Sequence, residues 1–228
     1  MADGRIRIAS MVAFFFLVGA ALALSVMVSG DNTLAIDLRI SRAVQDRGFL
    51  GDRWIEALGY WVGSSAIALP FVLLVALWQL RNGQRWVAAL LIGAAAMRPV
   101  NVLTKILIGS PRPTAEQVEV LRQSSGNGFP SGHVYGTVLI AGALFLAAPV
   151  LSASRLRCVL IRVCAALALV ATAYSRVASG AHWPSDVLGG LLWGTVALLI
   201  VVAVVDRWFE RPPRLRPVGT TKQTVEGR

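Results

Sequence analysis

Apolar residues in this chain come in long blocks separated by short polar stretches. Six blocks can be read, at about Ile8 to Val28, Trp54 to Leu80, Trp86 to Ile108, Ser131 to Leu151, Cys158 to Tyr174 and Ser185 to Val205. Each runs to roughly 17–27 residues, and about 20 apolar helical residues rising about 1.5 Å apiece cross the roughly 30 Å of bilayer hydrocarbon. The pattern predicts an all-α polytopic membrane protein with six transmembrane helices. Residues 1–29 read as the first helix, 30–53 as an extracytoplasmic loop and 54–206 as a core of five helices. Residues 207–228 read as a basic cytoplasmic tail, too rich in Pro, Arg and Thr to bury a core and so disordered. Arg5 and Arg7 before the first block resemble a signal peptide. The apolar run exceeds the usual signal length of about 7–15 residues, however, so it reads as a retained helix.

Composition agrees with the blocks. The 228 residues are 56% hydrophobic and 15% charged, with a mean hydropathy of +0.65, whereas soluble domains carry about 25% charged residues. A net charge of +10 would raise nucleic acid as a partner in a soluble protein. Here the arginines sit at the ends of apolar blocks, where topology and anionic headgroups place them, and nucleic acid is set aside. Cys158 and Cys164, six apart in one apolar block, match no metal spacing.

The charges also predict orientation. Arg5 and Arg7, Arg81 and Arg85, Arg155 and Arg157, and Arg207, Arg211, Arg214 and Arg216 all fall on one side if six helices alternate. Basic connections favour the cytoplasm. The loop at 30–53 is a mild counter-signal, since it holds Arg39, Arg42, Arg47 and Arg53, mixed with Asp31, Asp37, Asp46 and Asp52. Both termini are expected inside, which turns the segments 109–130 and 175–184 outward.

Those two segments collect the chemistry. Lys105 and Arg112 stand at the outer end of the third block, Pro130-Ser131-Gly132-His133 opens the fourth, and Ser175, Arg176, His182 and Asp186 lead into the sixth. Singly each has an ordinary explanation: a snorkelling lysine, a helix cap, an interfacial arginine. Together, three cations and both histidines of the chain make a pocket for a multiply charged anion. Phosphate fits, because the guanidinium fork matches its oxygens. The N–H groups of Ser131, Gly132 and His133 at a helix start would add donors, and glycine lets the backbone approach closely. Asp186, four residues beyond His182, can hold Nδ1–H and leave Nε2 as nucleophile. His133, without an acidic neighbour in sequence, suits a general acid for the leaving oxygen. The outward loops offer Glu116, Glu119 and Asp186, too thin a set for metal catalysis, and no cofactor is expected.

The spacing of these residues resembles the signature of the type 2 phosphatidic acid phosphatases, Lys-x6-Arg-Pro, Pro-Ser-Gly-His and Ser-Arg-x5-His-x3-Asp. Lys105, Arg112, Pro113, Pro130 to His133, Ser175, Arg176, His182 and Asp186 match every specified position. The resemblance, over roughly residues 50 to 206, implies a metal-independent phosphatase acting on a membrane lipid through a phosphohistidine at His182. It assigns Asp186 to orienting that histidine, His133 to the leaving group, and Lys105, Arg112, Ser131, Gly132 and Arg176 to the phosphoryl oxygens. Ser110 departs from relatives with arginine there, which puts headgroup preference in doubt. Lipid substrates such as undecaprenyl diphosphate, phosphatidylglycerophosphate or phosphatidic acid fit alike, and the sequence fixes no oligomeric state. The soluble vanadium haloperoxidases share the phosphate signature but not six apolar blocks. A membrane phosphatase for a soluble ester and a non-enzymatic transporter are the alternatives.

Arg98 and Asn101 extend the pattern. Charge inside a membrane span is costly and usually functional, and Arg98, Asn101 and Lys105 share a helix face. Either a polar stripe descends from the phosphate site, or Arg98 is satisfied locally by Ser64, Ser65 or the carbonyl freed at Pro99. The first reading predicts that Arg98→Ala lowers turnover in a protein that inserts and purifies normally; unchanged turnover supports the second.

Overall fold

The computed structural model describes residues 2–30, 33–46, 52–122 and 124–215. Asp31, Arg47 and the tail from 216 onward lie outside them, as do the side chains of Arg5, Arg7, Asp52, Arg53 and Arg214. Among the described residues every regular element is helical: α1 (Ala2–Met27), α2 (Ala35–Asp46), α3 (Asp52–Gly63), α4 (Ser65–Arg81), α5 (Arg85–Ala96), α6 (Val100–Ile108), α7 (Gly132–Leu151), α8 (Arg155–Ala178) and α9 (Pro184–Trp208), with a 3-10 turn at Pro213–Leu215.

Five stretches are long and apolar enough to cross a membrane: Ile8–Met27, Arg85–Ile108, Gly132–Leu151, Arg155–Ala178 and Pro184–Trp208. The second apolar block becomes a sixth if its two helices count as one span, because α3 and α4 bend by 53°. Ser64 makes the break. Its extended backbone ends α3, and its hydroxyl accepts from the N–H of Ala66 to cap α4. A second interruption falls at Met97–Pro99, where proline has no N–H to continue the helix. The N–H groups of Arg98, Val100 and Asn101 tighten there to carbonyls three residues back, and Tyr135 Oη donates to the Met97 carbonyl.

Helices in lipid gain little from burying apolar surface, so close backbone approach and van der Waals packing hold them together. Glycines provide that approach. A Cβ on Gly190 would stand 2.9 Å from the Ser131 carbonyl oxygen, and one on Gly194 would stand 2.9 Å from Val138 Cβ, so α9 lies directly against α7. A Cβ on Gly59 would meet the Ala171 carbonyl at 2.1 Å, which brings α3 onto α8. Small and branched residues such as Ala76, Leu90, Leu139, Ala143 and Val201 fill the core between α4, α5, α7 and α9.

Two regions are more structured than their composition predicts. Residues 35–46 form a short helix where the sequence reads as a loop; Asp37 and Ser41 are buried while Ile36 and Ile40 are exposed. Past α9, Arg211 pairs with Asp206, Trp86 Nε1 donates to the same carboxylate at 2.8 Å, and Leu215 packs on the core. The 3-10 turn therefore returns the start of the tail to the helices.

Gly194→Ala should force α7 and α9 apart. Overpacking of this kind costs about 1–3 kcal/mol, so the melting midpoint in detergent should fall by several degrees; an unchanged midpoint would show that the two helices separate freely.

Candidate active site

Three chain segments meet at the ends of α6, α8 and α9. After α8 the backbone turns at Gly180 (φ +64°), where a Cβ would strike the Glu119 carbonyl, and the turn delivers His182 just ahead of α9. The imidazole is 4% exposed. Asp186 lies in the first turn of α9, fully buried, and its Oδ2 is 3.1 Å from His182 Nδ1 and 3.0 Å from the N–H of Trp183. The pair thus meets across a helix start, with Pro184 opening the helix between its members.

Arg112 fixes the other nitrogen. Its Nη1 stands 3.1 Å from His182 Nε2 while also donating to the Ala181 carbonyl at 2.7 Å, and its Nε donates to the Gly126 carbonyl at 2.9 Å. A guanidinium has only donors, so Nε2 accepts and the proton resides on Nδ1, facing Asp186. Both neighbours select one tautomer. Burial first, then the charges of Arg112, Lys105 and Arg176, hold the His182 pKa well below its ordinary value, against the nearby Gly128 carbonyl, which favours the protonated ring. The ring is therefore neutral with its lone pair on Nε2.

The remaining cations surround it. Lys105 Nζ donates to the carbonyls of Asn127 and Gly128, both at 2.8 Å. Gly128 is needed there, since a Cβ would stand 2.7 Å from Asp186 Oδ2. Arg176 is 2% exposed, donates from Nη2 to Ser175 Oγ at 2.8 Å, and has a buried Nε without a partner. Ser131 Oγ is likewise buried and unpartnered. One expected donor is already used: the Ser131 N–H bonds the Asp186 carbonyl at 2.9 Å, which leaves Gly132, His133 and Val134 as the first-turn N–H groups with no partner inside the helix. Among the described residues no three His, Cys, Asp or Glu side chains cluster as metal ligands do, and the converging groups are mostly donors.

His133 stands half-buried in the first turn of α7. Its ring lies on Tyr60, with centroids 5.2 Å apart and 32° between planes, and it feels the charges of Arg176, His182, Arg98 and Arg112. Tyr60 also carries the guanidinium of Arg122 at 4.2 Å and that of Arg176 at 5.1 Å. Glu56 accepts from Arg122 at 2.7 Å and lies 3.7 Å from Arg176. Sequence reasoning singled out none of Glu56, Tyr60 and Arg122. Glu56 was detectable, since it is the only charged residue of the block from Trp54 to Leu80 and carboxylates at such places are rarely idle.

Arg98 and Asn101 sit beneath the anion pocket. Asn101 Nδ2 lies 3.1 Å from where a Gly132 Cβ would be, so glycine serves the packing of α6 on α7 as well as anion approach. Arg98 Nη2 donates to Ser65 Oγ at 2.7 Å and to the Gly63 carbonyl at 3.4 Å, and its Nη1 packs on Gly136. Local satisfaction by Ser65 is present. The Arg98 Nη1, buried without a hydrogen-bond partner, lies at Gly136, about one turn from His133 on α7, and a Cβ on Gly63 would touch His133. The break at Pro99 leaves Arg98 in the turn between α5 and α6, with Asn101 and Lys105 of the predicted stripe on α6. Beside Arg98 opens an apolar cavity of about 610 Å³ between α4, α7 and α8, lined by Phe71, Trp78, Ile140, Leu144 and Leu160 among others.

Comparison with known proteins identifies the family and the fold. A family model described as the PAP2 superfamily matches residues 85–210. A protein of Escherichia coli strain K12, described as putative undecaprenyl-diphosphatase YbjG, is 32% identical over 151 residues, spanning 64% of this chain and 71% of that protein. The crystal structure of the first transmembrane PAP2 type phosphatidylglycerolphosphate phosphatase from Bacillus subtilis superposes with a TM-score of 0.71 at 20% identity, over 86% of this chain and 98% of that one. Aquifex aeolicus LpxE superposes with a TM-score of 0.56 at 25% identity, over 75% and 96%. Asp37, Glu56 and Tyr60 precede the matched segment.

With two histidines in the chain, ring resonances of labelled protein can be assigned by His133→Ala. The His182 signal should stay neutral well below pH 6.5, and Arg112→Gln, which removes the nearest opposing charge, should move its titration upward. An unmoved titration would show that burial alone sets it.

Proposed function

The chain belongs to the PAP2 superfamily of lipid phosphatases, and on that premise we propose how this site performs phosphate transfer. The observation that carries the reading is the arrangement at His182, neutral, with Nδ1–H on Asp186 and Nε2 turned to Arg112. A substrate phosphate entering among Lys105, Arg112 and Arg176 meets donors for its oxygens, including Arg176 Nε and Ser131 Oγ. Arg112 then shifts its hydrogen bond from Nε2 to a phosphoryl oxygen and frees the lone pair. Nε2 attacks phosphorus and the bond to the leaving oxygen breaks, with His133 supplying the proton to that oxygen. Asp186 stabilises the positive charge that develops on the ring. Water then hydrolyses the phosphohistidine, with His133 accepting the water's proton. Charge on the equatorial oxygens grows during transfer, so fixed cations in a site shielded from water contribute most of the stabilisation.

The substrate is a membrane lipid, with a polyprenyl diphosphate of the undecaprenyl type as the first candidate. Similarity to the Escherichia coli protein supports that choice. The apolar cavity beside Arg98 supports a hydrocarbon chain over a soluble ester, because its wall offers apolar surface about one turn from His133. Six spans with both termini cytoplasmic follow if α3 and α4 form one broken crossing, and the arginine clusters then place the site on the extracytoplasmic side.

Phosphate release in detergent from undecaprenyl diphosphate, phosphatidylglycerophosphate, phosphatidic acid and a panel of soluble esters tests the proposal. Lipid turnover that vanadate inhibits and His182→Ala abolishes is expected, with a bell-shaped pH profile because attack needs His182 neutral while departure of the leaving oxygen needs a proton on His133, which a bound phosphate favours against the surrounding cations. Turnover surviving His182→Ala would overturn the mechanism, and turnover of soluble esters alone would overturn the lipid assignment.

A further inference from the structure

The turn that carries the nucleophile lacks a cap of its own. Helix starts leave their first N–H groups unpaired, and a Ser, Thr, Asp or Asn at the N-cap normally accepts from one of them. Trp183 occupies that position in α9 and makes no side-chain capping bond; an indole is a donor only. The carboxylate of this turn is Asp186, whose Oδ2 already serves both the Trp183 N–H and His182 Nδ1 while Oδ1 has no partner. An unpaired Ser185 N–H would therefore compete with His182 for Asp186.

Asp37 removes that competitor. Its Oδ1 accepts from the Ser185 N–H at 2.8 Å and its Oδ2 accepts from the Ser185 hydroxyl at 2.7 Å. It reaches in from α2 with only 2% of its surface exposed. Other contacts hold α2 in place: Gln45 donates to the carbonyls of Glu119 and Ala178, and Arg42 donates to the carbonyl of Gln117. The two carboxylates also repel each other, which adds to burial in raising the Asp37 pKa and disfavours any turn of Asp186 towards Ser185.

We propose that Asp37 is a positioning residue of the nucleophile: by taking both donors of Ser185 from a separate helix, it reserves the Asp186 carboxylate for His182. The inference rests on the roles given above to His182 and Asp186.

Displacing a catalytic group by about 1 Å can cost about 10²-fold in rate. Asp37→Ala should therefore lower kcat by about tenfold or more while inhibition by inorganic phosphate, which reads the anion pocket without a bond to Nε2, stays within about threefold. Asp37→Asn keeps an oxygen for the Ser185 N–H and an amide for its hydroxyl, and should restore kcat to within about threefold of wild type. In an Asp186→Asn background the further loss from Asp37→Ala should shrink below about twofold, because residues acting through one another are not additive. Asp37→Ser, polar and too short to reach Ser185, carries the same cycle where Asp37→Ala does not purify. The proposal is overturned by wild-type kcat in Asp37→Ala, by equal losses in both backgrounds, or by affinity for inorganic phosphate falling in step with kcat. Turnover surviving His182→Ala would instead overturn the site assignment on which it rests.

Discussion

Cations packed together in a shielded site repel one another, and one end of this helical bundle is arranged around that constraint. Lys105, Arg112 and Arg176 converge on a single imidazole. Backbone carbonyls of the loop between α6 and α7 hold the first two, at Gly126, Asn127 and Gly128. Glu56 and the Ser175 hydroxyl serve the third. This scheme holds Lys105 and Arg112 without neutralising them, because carbonyls bring partial charge only, and the one carboxylate near Arg176, Glu56, is shared with Arg122. The net positive field that remains keeps His182 neutral and favours phosphate in the same place. In the proposed mechanism one electrostatic arrangement thus serves both the nucleophile and the affinity for phosphate.

The helices supply rigidity where the field would otherwise push the groups apart. α9 is pressed to α7 at Gly190 and Gly194, and the Ser131 N–H ties the start of α7 to the Asp186 carbonyl across that contact. The two helix starts that carry His133 and Asp186 are therefore one unit. Tyr60 fills the space beyond, stacking on His133 and facing both Arg122 and Arg176. A shift in α3 would be felt by the proposed acid and by a phosphate-holding arginine together.

Position relative to the apolar surface gives the site its direction. The polar groups lie at the ends of α6, α8 and α9, and the apolar cavity starts below His133, with Arg98 at the boundary between the two. A phosphate headed by a long hydrocarbon chain has matching halves. Arg98 joins these regions by bonding Ser65 and the Gly63 carbonyl on one side and packing on Gly136 on the other.

The sequence by itself determined the class of fold, the helices that hold Lys105, Asn101, His133 and Asp186, and which cations the fold brings together around His182. Long apolar blocks have few structural solutions in lipid, and rare residue types such as histidine stand out at their ends. It did not reveal the break at Ser64, the helix at 35–46, or the use of the Ser131 N–H by Asp186. Glu56, Tyr60 and Asp37 escaped for one reason: each acts through a partner more than 60 residues away, Arg122, His133 and Ser185 respectively. Local spacing shows which residues share a turn, but a contact between turns exists only once the helices have packed. Tertiary structure alone decided that Asp37 closes the helix on which the nucleophile's partner stands.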